Sequence, residues 1–144
     1  MDLFDQIIRG TVLLVISIAI HVAALASFAP WLDRLTKRIA FLPDSIVFGA
    51  VLATSLLAIV LSHTIQVWLW AIRFMALGAF DDLYQAIYFA MVTYTTLGYG
   101  DITLGDDLSL FASFSAVTGL LAFGMSTAFL VAVFSRFIPD EDKD

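Results

Sequence analysis

The side chains able to do chemistry are few, and most are excluded on count. The sequence has no cysteine, so thiolate metal sites, thiol nucleophiles and disulfides are ruled out. Its two histidines, His21 and His63, are too few for a catalytic metal cluster, and no Ser/His/Asp set or carboxylate pair stands in a recognisable arrangement. No enzyme, transition-metal site or cofactor is expected. What remains is main-chain chemistry. The segment Thr93-Tyr94-Thr95-Thr96-Leu97-Gly98-Tyr99-Gly100-Asp101 mixes β-branched, aromatic and glycine residues into a poor helix. Gly98 and Gly100 stand at alternate positions, where the backbone can reach positive φ without steric penalty.

The elements that carry this segment are written in the charge pattern. Of 144 residues, 61% are hydrophobic and only 14% charged, at a mean hydropathy of +0.97. A soluble domain has about a quarter of its residues charged, so this is an integral membrane protein of at most one domain, its partner the lipid bilayer. The net charge of −6 has the wrong sign for nucleic acid. Charge-free runs cover residues 10–32, 45–72, 83–100 and 108–135. A bilayer core of about 30 Å needs roughly 20 helical residues, which the first, second and fourth runs supply. The third starts as a helix and ends in the glycine-rich segment. Non-helical backbone at membrane depth must be surrounded by protein or line a wet cavity, so this run reads as a re-entrant half-helix followed by an extended strand. Asp82 and Gln85 form a plausible capping box at its start.

Lys and Arg beside the spans orient the chain. Arg34, Lys37, Arg38, Arg136 and Lys143 fall on one face, and only Arg9 and Arg73 on the other. The N-terminus and the re-entrant segment are thus expected outside, the first loop and the C-terminus in the cytoplasm of a cell whose plasma or inner membrane the chain crosses. The outer face then sums to −5 and the inner to −1. An acidic mouth concentrates cations.

Thr93 to Asp101 resembles the selectivity-filter signature of tetrameric pore-loop potassium channels, T-x-x-T-x-G-Y-G-D. In such a filter, carbonyl oxygens from four loops replace the ion's hydration shell, and alternating backbone handedness turns successive carbonyls toward one axis. The resemblance implies an all-α membrane fold and a homotetramer. Each subunit would have three transmembrane helices, a re-entrant pore helix and a filter. It divides the chain into a first helix and loop (1–44), a pore module (45–137) and a short tail (137–144). Within the module it implies an outer helix at 45–75, a pore helix at 83–95, the filter at 96–100 and an inner helix at 108–136. By the same resemblance Thr96, Leu97, Gly98, Tyr99 and Gly100 bind the permeant K⁺. Tyr88, Thr93, Thr95 and Asp101 support them, the Tyr88 hydroxyl bonding Asp101, Phe89 joining Tyr88 as an aromatic cuff, and Tyr99 wedging against the pore helix. Leu120, Phe123, Thr127, Val131 and Phe134 form a stripe toward the cavity and inner mouth. Gly119 and Gly124 match the inner-helix glycines, as a hinge or as close packing. Val92 departs from members with a buried glutamate there. The first helix lacks regularly spaced arginines and is no voltage sensor, and the chain holds no soluble regulatory domain. A weakly selective cation channel, or a non-conducting sensor or assembly subunit on the same fold, stays open as an alternative.

His21, His63 and Gln66 lie inside spans, where polar groups are costly. Interhelical hydrogen bonding is the simpler reading and pH sensing the other. Trp31, Trp68 and Trp70 read as interfacial anchors, and Arg73 as a partner for Asp81 or Asp82. Ala24-Leu25-Ala26 has the form of a signal-peptide cleavage site, but Asp2 and Asp5 oppose the positive segment such a peptide needs. The intact mass of protein extracted from membranes is therefore expected to include residues 1–26, and a mass starting at Ser27 would refute this.

Overall fold

A computed structural model describes residues 1–137; the expected tail beyond Phe137, with Lys143, lies outside the described residues. The chain is all-helical there: α1 (Leu3–Arg38), α2 (Asp44–Ala76), the short α3 (Leu83–Tyr94) and α4 (Ser109–Phe134), which ends in a 3₁₀ turn, Ser135–Phe137. α1, α2 and α4 with its turn are long and apolar enough to cross a membrane. At about 1.5 Å per residue, α1 is about 54 Å long and overruns the charge-free run at both ends. Polar caps explain the overrun. The Asp2 carboxylate accepts the Asp5 N–H at 2.7 Å, and Arg9 pairs with Asp5 one turn away. At the other end Lys37 and Arg38 sit in the last turn, where the helix dipole favours cations.

Two apolar clusters hold the helices together. The larger joins α2, α3 and α4 through aromatic rings: Phe74 packs edge-on to Phe89 and Phe111, and Trp70 lies 5.5 Å from Phe111. The smaller joins the opposite ends of α1, α2 and α4 through Leu32, Val47, Val51 and Val133. Trp70 is therefore not an interfacial anchor: it is fully buried, and its Nε1–H has no hydrogen-bond partner. It lies one turn after Gln66 on the face that meets α4, whereas Trp31 and Trp68 remain more than 40% exposed. Arg73 forms no ion pair with Asp81 or Asp82; the ion pairs among the described residues are Arg9–Asp5 and Arg136–Asp33. The turn at Gly78 (φ 73°) leads the chain away from Arg73 before the two aspartates are reached.

α1 is clasped along its length to α2 and α4. A Cβ at Gly10 would lie 2.4 Å from the Phe114 ring, so glycine lets α1 close on α4 there. Buried Gln6 donates to the Asp106 carbonyl at 2.9 Å and accepts the Phe111 N–H at 3.1 Å. That N–H is one of the orphan donors at the start of α4, so α1 caps α4 from outside its own sequence. Gln66 donates to the Ser17 carbonyl at 3.0 Å, and Arg136 reaches Asp33 at the far end. Gln6→Leu leaves the Phe111 N–H buried without an acceptor and should cost about 1–3 kcal/mol, read as a lowered unfolding temperature in detergent. An unchanged transition would mean that the clasp contributes nothing.

Candidate functional site

α3 starts at Asp82, whose carboxylate accepts the Gln85 N–H at 3.1 Å, and ends at Tyr94. Past that end the N–H groups turn back onto the helix. Thr96 N–H donates to the Thr93 carbonyl at 2.9 Å, and Leu97 and Gly98 both donate to the Val92 carbonyl, at 3.0 and 3.2 Å. The donors of this segment are thus spent on the helix side. Among the described residues no hydrogen bond ends on the carbonyls of Thr96, Leu97, Gly98 or Tyr99. The backbone handedness alternates: φ is +60° at Thr96, +54° at Gly98 and +77° at Gly100, with Leu97 and Tyr99 between them on the ordinary side. Thr96 is the one non-glycine residue with positive φ among the described residues. Such a conformation is costly for a β-branched side chain and persists only where surroundings hold it. The strand's N–H bonds to α3 do that holding.

The supporting residues divide. The Tyr88 hydroxyl donates to Asp101 Oδ2 at 2.6 Å, tying the Asp101 end of the strand to α3. That bond to the carboxylate pushes the Tyr88 phenol up to about 12. The Thr95 hydroxyl donates to the Met91 carbonyl at 2.7 Å. Thr93 lines a cleft of about 440 Å³ with Thr96, Gly98, Gly100 and the start of α4. The Phe89 ring packs on Phe74 and Phe80 and also borders that cleft. The Tyr99 ring is 67% exposed. A single subunit has no surface that covers that ring.

All five residues of the α4 stripe, Leu120, Phe123, Thr127, Val131 and Phe134, are exposed in one subunit. Two of them also touch α2: Phe123 stacks on His63 at 4.3 Å, and Phe134 lies 5.4 Å from Phe48. Of the two glycines, Gly119 is a close-packing site. A Cβ there would fall 1.8 Å from the Tyr94 carbonyl oxygen, a backbone atom with no freedom to move away. Gly124 has nothing near it.

His21 and His63, from α1 and α2, meet with ring centroids 5.1 Å apart. They share Ser126 of α4, and His63 also reaches the Tyr94 hydroxyl at 2.8 Å. The reading from sequence misses Tyr94, Ser62, Ser126 and Gln6. Ser126 was detectable: seven residues after Gly119, it repeats that residue's helix face.

Gly119→Ala should force α4 away from the end of α3 and destabilise the protein by roughly 1–3 kcal/mol. Thermal unfolding in detergent measures this; a Gly124→Ala control should change little, and equal effects at the two sites would contradict the packing role.

A family model described as an ion channel matches residues 46–136. No curated protein and no solved structure matches the chain. The matched residues contain α2, α3, the glycine-rich strand and α4 almost entire, and on that match the chain belongs to the ion channel family.

Proposed function

We propose that four copies of this chain form a channel selective for K⁺, permeated passively along their common axis. The observation that carries the reading is the strand after α3, with left-handed backbone at Thr96, Gly98 and Gly100, every N–H from Thr96 to Gly98 bound back to α3, and the carbonyls unspent. A strand so arranged presents oxygens on one side. Four of them around an axis replace the hydration shell of a dehydrated cation. The carbonyls of Thr96, Leu97, Gly98 and Tyr99 line the path, the Thr96 hydroxyl closes its inner end, and Gly100 turns the chain out.

Two further features support it. The C-terminal end of α3, partially negative, lies at the inner end of the strand and favours a cation there. The strand is exposed in one subunit, Leu97 at 55% and Tyr99 at 67%, which a ring of four would cover. In this reading Leu120, Phe123, Thr127, Val131 and Phe134 face the inner cavity and mouth, and the N-terminus and strand mouth lie outside, by the count of basic residues. Purified protein in liposomes should pass K⁺ and Rb⁺ and largely exclude Na⁺. Equal K⁺ and Na⁺ flux would instead favour a non-selective cation channel, and no flux of either would favour a non-conducting subunit.

A further inference from the structure

Between the two apolar clusters runs a polar layer that joins all four helices. Ser62 Oγ of α2 lies 2.8 Å from His21 Nδ1 of α1, and Ser126 Oγ of α4 lies 3.1 Å from His21 Nε2. The same Ser126 oxygen lies 3.1 Å from His63 Nε2 of α2, and His63 Nδ1 lies 2.8 Å from the Tyr94 hydroxyl of α3. His21, Ser62, Ser126 and Tyr94 are all at least 96% buried.

The hydrogens on this chain run in one direction. A serine hydroxyl carries one hydrogen, so Ser126, between two neutral rings, donates to one and accepts from the other. Two polarities satisfy that. In one, Tyr94 O–H donates to His63 Nδ1, His63 Nε2–H to Ser126, Ser126 O–H to His21 Nε2, and His21 Nδ1–H to Ser62. The Ser62 hydrogen can then turn to its own helix backbone, as helical serines do. In the reverse polarity the buried Tyr94 hydrogen has no acceptor among the described residues. A stranded buried donor is the costlier outcome, which selects the first polarity.

We propose that Tyr94 and His63 are positioning residues for the inner end of the filter, latched to α1 through Ser126 and His21, and that a proton on His63 releases the latch. The proposal rests on the filter reading above. Tyr94 is the last residue of α3; its carbonyl packs on Gly119, and Thr96 follows two residues later. Protonated His63 carries hydrogen on both nitrogens, so Tyr94 can no longer donate to it and must leave or strand its own hydrogen. The groups facing His63 are His21 from α1, Tyr94 from α3, and Ser126 and Phe123 from α4. Of these His21 and Tyr94 are titratable, and residues 10–32, 45–72, 83–94 and 108–135 contain no Asp, Glu, Lys or Arg to offset an imidazolium. The stacked Phe123 ring tolerates a cation but cannot accept the phenol hydrogen. A mainly apolar cavity of about 280 Å³, bordered by Val60, His63, Val67, Ile87, Met91 and Phe123, opens beside the ring.

The test measures K⁺ and Na⁺ flux through reconstituted protein at about pH 7.5 and about pH 3.5, low enough to protonate an imidazole with no neighbouring charge to offset it. The wild-type K⁺/Na⁺ ratio should fall by about fivefold on acidification, the worth of one hydrogen bond. Tyr94→Phe, which keeps the ring, should show the lowered ratio at both pH values, and Ser126→Ala should lower the ratio at neutral pH. Nitrogen NMR of ¹⁵N-histidine-labelled wild type needs no variant: at neutral pH His63 should carry hydrogen on Nε2 and none on Nδ1. Hydrogen on Nδ1 at neutral pH, a wild-type ratio flat between the two conditions, or a wild-type ratio and pH profile in Tyr94→Phe each overturns the proposal. Equal K⁺ and Na⁺ flux in the wild type at neutral pH overturns the filter reading instead, and the ring spectra then judge the latch alone.

Discussion

The contact between Gly119 and the Tyr94 carbonyl brings the backbone of α4 onto the end of α3 with no side chain between them, and the placement of the glycine-rich strand follows from it. The strand has no partner strand to register it. It hangs from the last turn of α3 by N–H groups that reach Thr93 and Val92. Its position is therefore that of the α3 terminus, and that terminus is set where α4 stops it. A methyl group at Gly119 acts on the strand without touching it.

Backbone leaving a helix inside a bilayer must find other partners, because lipid supplies none. The chain meets this demand unequally at the two ends of its strand. Next to α3 the N–H groups fold back onto that helix. At the other end a side chain, Tyr88, reaches Asp101, and Gln6 of α1 caps the start of α4. The polar side chains buried elsewhere follow the same rule less completely: Ser17 Oγ, Gln66 Oε1, Trp70 Nε1 and Ser115 Oγ have no partner among the described residues.

Much of this was legible in the sequence. The lengths of the charge-free runs fixed three crossing helices, and the glycines at 98 and 100 marked where helix gives way. The left-handed Thr96 was not legible, since a threonine carries no sign of positive φ; only its hydrogen bonds hold it there. Trp70 was misread because a tryptophan near the end of a span has two uses, and hydropathy does not say which face it occupies. The contacts of Phe123 and Phe134 with α2 were not legible, because a stripe on one helix does not reveal which neighbour lies beside it. The buried serines were passed over because a serine in a helix can satisfy itself, whereas Ser62 and Ser126 bond to other helices.

The family match begins at residue 46, after α1 has ended. Drawn on the molecule, that border cuts through the Gln6 cap on α4, the Gln66–Ser17 bond, the His21–Ser126 contact and the Arg136–Asp33 pair. The matched segment is thus smaller than the unit that folds. Without α1 the Phe111 N–H would lose its acceptor and Ser126 its bond to His21. A helix outside the family segment is tied to it through buried polar groups on both sides of the border.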